Sequence, residues 1–203
     1  MDKFLFNTYK SLNITLTILA YFMASCIFSQ KVISKIELPI SVYETSGIEI
    51  VDNNLITLND SGNPSNLYYL NKDGKMLFTR TFNELQNNDW EDLTADKEFI
   101  YIADIGNNFD TRDNLRIIKV SVNPENNSVK LINFYYPEQD DFSFKRLSEY
   151  DAEALISSDD NLLIFTKNRA KKITEIYRLP KTPGNFVARL IRQIDLESIV
   201  TAA

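Results

Sequence analysis

The 203-residue sequence contains no histidine. That absence removes the commonest general base and the commonest metal ligand. It also excludes Ser-His-Asp and Cys-His nucleophiles. The single cysteine, Cys26, cannot close an internal disulfide. Glycine is scarce, at five residues, and acidic residues outnumber basic ones to give a net charge of −6. The basic footprint of a nucleic-acid binder is therefore missing. No stretch reads as a convincing amphipathic helix. What is present suits a β-rich globular core: 44% apolar residues, ten tyrosines and thirteen phenylalanines. The length fits one ordinary domain.

Residues 1–30 read as an export signal. Lys3 and Lys10 give a positive start, and an apolar run from Ile14 to Phe28 follows. Two processing routes fit. Cleavage falls near Ser25 or between Ser29 and Lys31, or else Met23-Ala24-Ser25-Cys26 acts as a bacterial lipobox and Cys26 is lipidated. Met is atypical at the first lipobox place, which favours simple secretion. A retained anchor helix is the bland alternative. With the signal removed, no stable membrane span is expected. The product is then secreted, periplasmic or on the outer surface, with a lipoprotein as the variant case.

Beyond residue 30 the chain reads as short strands separated by turns. V-I-S-K-I-E-L at 32–38 alternates as one strand, closed by Pro39. Further strands are expected at 48–51, 55–59, 67–71 and 76–82, with Asp52-Asn53-Asn54 and Lys72-Asp73-Gly74 as turns. A second group lies at 93, 99–103, 115–120 and 129–136. The polar stretch 138–150 reads as a loop insertion, its acidic run 138–141 solvated. A third group lies at 151–155, 162–166, 175–179 and 188–194.

These groups repeat. Asp60, Gly62 and Asn63 recur 44 positions on as Asp104, Gly106 and Asn107, while Ile48 matches Leu93 one place off that offset. Asp151-Ala152-Glu153-Ala154-Leu155 matches Asp89-Trp90-Glu91-Asp92-Leu93, and Lys167-Asn168-Arg169 stands where the others have Asp-x-Gly. Four strands every ~40–50 residues are the pattern of β-propeller blades. The expectation is an all-β fold: a partial propeller over 31–203 with blades at about 44–83, 89–136 and 151–195. Propellers close with about four to eight blades, so the chain reads as an N-terminal fragment of a larger ring.

The succession E-T-S-G-I, L-N-D-S-G-N-P, D-W-E-D-L-T, I-A-D-I-G-N-N, D-A-E-A-L and F-T-K-N-R resembles a family of secreted bacterial β-propeller proteins. Many of its members carry a C-terminal secretion-sorting domain. The resemblance covers about residues 38–180, with the motifs in the family's order. It implies the propeller and export, and it brings no established activity. The chain departs from the family in showing no later blades and no sorting domain.

In such a ring the start of each first strand and the exit of each second strand share one face. Glu44, Glu91, Asp92, Asp151 and Glu153 would then gather near Asp60, Asp104, Asn63, Asn107, Lys167 and Arg169 at one mouth of the channel. Three readings compete. The groups tie blades together through turn backbone, with Gly62 and Gly106 permitting left-handed turns. Or Glu44, Glu91, Glu153, Asp60 and Asp104 hold a cation, Ca²⁺ being the fit for oxygen ligands without His or Cys. Or Lys167, Asn168, Arg169 and Arg112 contact an anionic or sugar ligand. Trp90 reads as a packing residue rather than a sugar platform. Tyr68, Tyr69, Tyr101 and Tyr177 read as core or blade surface. The functional expectation is a secreted, non-catalytic binding or scaffold module with an extracellular or cell-surface partner or a small ligand. The alternative is a Ca²⁺-dependent propeller hydrolase, similar to lactonases and phytases in architecture only.

Overall fold

A computed structural model of the chain describes residue 32, residues 34–195 and residues 198–202. The export signal and Cys26 lie outside the described residues. The chain divides into two units, Met1–Ile36 and Glu37–Ala203. In the first, the described residues carry no helix or strand. No helix among the described residues is long and apolar enough to cross a membrane.

The second unit starts with a 3-10 turn at Ile40–Val42 and continues as strands. These are β1 Thr45–Val51, β2 Asn54–Asn59, β3 Asn66–Leu70, β4 Met76–Thr81, β5 Trp90–Ala95, β6 Phe99–Asp104, β7 Arg116–Ser121, β8 Val129–Tyr135, β9 Ala152–Ser158, β10 Asn161–Thr166, β11 Thr174–Pro180, β12 Gly184–Val187 and β13 Arg189–Ile194. They form three sheets, in the orders β1-β2-β3-β4, β5-β6-β7-β8-β12 and β9-β10-β11-β13. The fold is all-β. Every ladder is antiparallel except that of β12, which lies parallel to β8.

Local sequence accounts for the hairpins. Val51 pairs with Asn54, leaving a two-residue loop at Asp52 and Asn53. Their φ values are 48° and 62°, the left-handed pair that tight hairpins require and that Asp and Asn tolerate. Longer-range packing accounts for the apolar runs. Phe99-Ile100-Tyr101-Ile102-Ala103 does not alternate, because the second sheet is covered on both faces. Ile100, Ile102, Ile118 and Val120, with Trp90 of the same sheet, join a core with Leu58, Leu67 and Tyr69 of the first sheet. Tyr101, Ala103 and Ile117 join another with Leu155, Ile164 and Tyr177 of the third. Fully burying one such side chain contributes about 1.5–3 kcal/mol, so the doubly covered sheet is the stable centre. Tyr68, Tyr69, Tyr101 and Tyr177 are all buried. On the outer flank of the first sheet, Ile48 and Ile50 are 53% and 69% exposed.

Two features differ from the sequence expectation. The described residues of 32–38 form no strand; alternation alone makes no strand without a ladder partner, and no described strand pairs there. β12 was not foreseen. The stretch 138–150 is a loop, as expected, and it is pinned. The buried Asp110 carboxylate accepts the backbone N–H groups of Glu149 and Tyr150 at 2.8 and 2.9 Å, and Gln139 donates to the Asp110 carbonyl at 2.8 Å.

The three first strands lie side by side, β1 against β5 and β5 against β9. Asp92 holds this row together. Its carboxylate accepts the N–H of Leu93 and, across to β9, the N–H of Leu155, both at 2.8 Å. On the other side Gly47 makes room for β5. A Cβ there would stand 2.8 Å from Asp92 Cα and 2.9 Å from Leu93 N, both backbone atoms that cannot swing away. Gly62 is different: its φ is +78° and its surroundings are open. Gly47→Ala is therefore expected to cost about 3 kcal/mol through overpacking, and Gly62→Ala about 1 kcal/mol through backbone strain alone. Urea denaturation of the two variants beside the wild type checks the order.

Candidate functional site

Each first strand carries a β-bulge at the same place. The ladder passes over Ser46 between Thr45 and Gly47, over Glu91 between Trp90 and Asp92, and over Glu153 between Ala152 and Ala154. A bulge leaves one residue unpaired and re-aims its side chain. The residue before each bulged pair is an acid: Glu44, Asp89 or Asp151. Their carbonyls accept the N–H groups of Asp60, Gly106 and Lys167 at 3.0, 3.2 and 2.7 Å. The start of each first strand is thus clamped to the exit of the second strand of its own sheet.

The bulged acids meet their neighbours in two groups that share Glu91. In one, carboxylate oxygens of Asp60, Asp89 and Glu91 all lie within 4.8 Å of one another. In the other, Glu91, Asp151 and Glu153 do the same. Gly106 makes this approach possible, since a Cβ there would overlap the carboxylates of Asp89 and Glu91. Its role is space, not the left-handed turn expected for it; of the two motif glycines, Gly62 is the one with positive φ.

The two groups are balanced differently. Arg169 forms ion pairs with Asp151 and, at 3.6 Å, with Glu153. Lys167 pairs with Glu153. Asn107 N–H donates to Asp151 at 2.7 Å. Asp60, Asp89 and Glu91 have no ion pair among the described residues. Glu91 is 6% exposed, and its carboxylate accepts no hydrogen bond among the described residues. Burial, then the neighbouring charges of Glu153, Asp89, Asp60 and Asp151, push its pKa up to about 9. Burial also raises Asp89, partly offset by Ser61 beside it. Asp92 points the other way, toward β9. Burial raises it to about 7 against the two N–H groups it accepts.

Glu91, Glu153 and Asp60 of the expected cation ligands come together. Glu44 and Asp104 fall outside both groups. Glu44 accepts a hydrogen bond from Asn63 at 2.5 Å. Asp104 is fully buried and pairs with Arg112 and Arg116, both at 2.8 Å, while accepting from Asn88 at 2.8 Å. The reason is register. The ladders match Asn59 with Thr45, Asp104 with Trp90 and Thr166 with Ala152. Asp104 is thus the counterpart of Asn59, and Asp60 corresponds to Ile105 and Lys167. A one-residue slip turns a strand side chain to the opposite face, so the repeated Asp-x-Gly motif puts Asp60 in the cluster and Asp104 away from it. Asp89 was not singled out as a ligand, although its place before a bulged acid, shared with Asp151, was visible in the repeat.

The residues expected to greet an anion are engaged within the protein. Lys167 and Arg169 neutralise the second group. Arg169 also reaches Asn108 at 2.9 Å and Ser148 at 2.8 Å. Arg112 adds the Gly106 carbonyl, at 2.7 Å, to its bond with Asp104. Asn168 is fully buried, donating to Glu175 at 3.2 Å and accepting from Lys171 N–H at 2.9 Å. Trp90 is fully buried.

No family model matches the chain, and no curated protein matches it. Among solved structures it is similar to the computationally designed Ika4 protein, at 10% identity and a TM-score of 0.40 over 86% of each chain. A likeness at that level defines neither fold nor function.

The raised Glu91 pKa has a sign that can be measured. The folded chain keeps the Glu91 proton up to about pH 9, whereas the ordinary value is 4.5. Between those values the folded state binds more protons than the unfolded state, so this group's contribution to stability falls as pH rises. In chelator-containing buffer, wild type is expected to lose stability from pH 5 to pH 9 more steeply than Glu91→Gln. Urea midpoints across that range give the two slopes.

Proposed function

We propose that the chain is an exported β-propeller module that binds a ligand and does not catalyse a reaction. The observation that carries the reading is the row β1, β5, β9: successive sheets in chain order, neighbours through their first strands, with the same bulge in each. Inner strands of successive propeller blades have this relation. The carboxylate cluster at the clamped ends of these strands would face the mouth of the channel, where propellers of many functions carry their sites. The resemblance to secreted bacterial propellers, carried by the motifs from Glu44 to Arg169, supports export and the reading of the chain as part of a larger ring. The partner is then an extracellular or cell-surface one, or a small ligand at the mouth.

A second reading is a Ca²⁺-dependent hydrolase of the same architecture, in which a bound cation activates water or polarises the substrate. Glu91, buried with no hydrogen-bond or ion-pair partner among the described residues, favours it. The first reading is preferred because the cations near the cluster among the described residues, Arg112, Lys167 and Arg169, are each tied to a carboxylate, leaving no free group among them to stabilise a leaving oxyanion.

Purified protein is expected to show no turnover of lactone, phosphomonoester or glycoside substrates above the uncatalysed rate, with or without Ca²⁺. Enzyme-like turnover of any of them would replace the module reading with the second one. For export, N-terminal sequencing of protein recovered outside the cytoplasm is expected to start after Ser25 or between Ser29 and Lys31. A blocked, lipid-modified Cys26 would instead establish the lipoprotein route, and an intact Met1 would overturn export by cleavage.

A further inference from the structure

The geometry points to a divalent-cation site, suited to Ca²⁺, in the group formed by Asp60, Asp89 and Glu91, and not in the adjoining group of Asp151 and Glu153. It rests on the reading of the cluster as the ligand site and names its ligand.

The two groups look alike in composition and differ in what balances them. Asp151 and Glu153 already have Arg169 and Lys167. A metal entering there would have to displace or repel two side-chain cations. Asp60, Asp89 and Glu91 have no Lys or Arg ion pair among the described residues. Acidic clusters without a metal are common on surfaces, where water screens them. Glu91 is not on the surface: it is 6% exposed, points into the group and accepts no hydrogen bond among the described residues. A buried carboxylate ordinarily finds a donor or a counter-ion. Here the fold does the reverse, leaving Gly106 bare so that Asp89 and Glu91 come closer.

The donor set selects the ion. Three carboxylates, with no His in the sequence and no Cys among the described residues, make a hard oxygen site. Oxygens that all lie within 4.8 Å of one another fit inside a Ca²⁺ shell, whose diameter is about twice the 2.3–2.6 Å bond, whereas Mg²⁺ demands near-ideal octahedral geometry and keeps several of its waters. Asp60 and Asp89 are partly exposed, so the group opens to solvent on their side, where water would complete the coordination.

The test is calorimetric titration of the chelator-stripped full chain with CaCl₂ and, separately, MgCl₂, together with thermal melts. Expected is one saturable Ca²⁺ site, at least tenfold tighter than for Mg²⁺. Glu91→Gln and Asp89→Asn are each expected to weaken it tenfold or more, and Glu153→Gln by less than threefold. Glu91→Gln replaces a buried side chain that has no hydrogen-bond partner among the described residues with a neutral one of nearly the same shape, so without cation it melts no lower than wild type. The Ca²⁺-dependent rise in melting temperature seen in wild type is expected to vanish in it. No Ca²⁺ heat in wild type, or equal affinities in all three variants, would overturn the site. Loss in Glu153→Gln alone would move it to the other group and overturn it as stated. Ca²⁺ binding without turnover keeps both site and module. Ca²⁺-dependent turnover keeps the site and overturns the non-catalytic module. Absence of both binding and turnover overturns the site alone.

Discussion

Strand β5 is held from both sides, and the remainder of the structure is arranged around that constraint. Toward β1 the contact is steric: Gly47 has no side chain, and the backbone of Asp92 and Leu93 occupies the space. Toward β9 it is polar: the Asp92 carboxylate accepts Leu155 N–H. Two residues on, the hydroxyl of Thr94 accepts the N–H of Ser157 at 3.2 Å and donates to Glu49 at 3.3 Å. With the first strands fixed at this spacing, the three bulges fall close together, and Glu91 lies between the acids of both neighbours. The same spacing covers the second sheet on both faces and leaves the outer flank of the first sheet with exposed isoleucines.

The cluster illustrates how like charges are made tolerable in a fold without histidine. On one side the solution is pairing: Lys167 and Arg169 stand on the turn after β10, where the other repeats have an Asp-x-Gly segment. On the other side it is protonation or, as inferred above, a cation. The break in the repeat that first suggested a ligand contact is therefore a counter-ion pair for the third sheet. What it singles out is the group that lacks one.

Sequence conveyed the strands and their grouping well, because hydrophobic alternation and turn chemistry are local. Asp52-Asn53 announced a hairpin, and the loop at 138–150 was visible as polar. β12 was not legible: Gly184-Asn185-Phe186-Val187 is short, follows a turn and pairs in parallel with β8, some fifty residues earlier. Residues 32–38 alternate like a strand, and no described strand receives them. At the site, Glu91 and Glu153 could be matched by eye because the bulge lies in a conspicuous acidic motif. Asp104 could not be separated from Asp60 in the same way. The two share a motif, and only the ladder shows that they stand on opposite faces. The space that Gly106 leaves for Asp89 and Glu91 is likewise a tertiary contact with no local trace.

That mismatch between motif and ladder bears on how such a chain could be copied. A consensus unit made by stacking the Asp-x-Gly-Asn segments would build in a one-residue frame error. Every carboxylate meant for the centre would emerge on the back of its strand, against a neighbour's core. A unit aligned on the bulge would keep the acids in place and let the following turn vary in length, as it does across the three natural copies. In this architecture the irregular residue is the reference mark, and the conspicuous motif is the part free to slide.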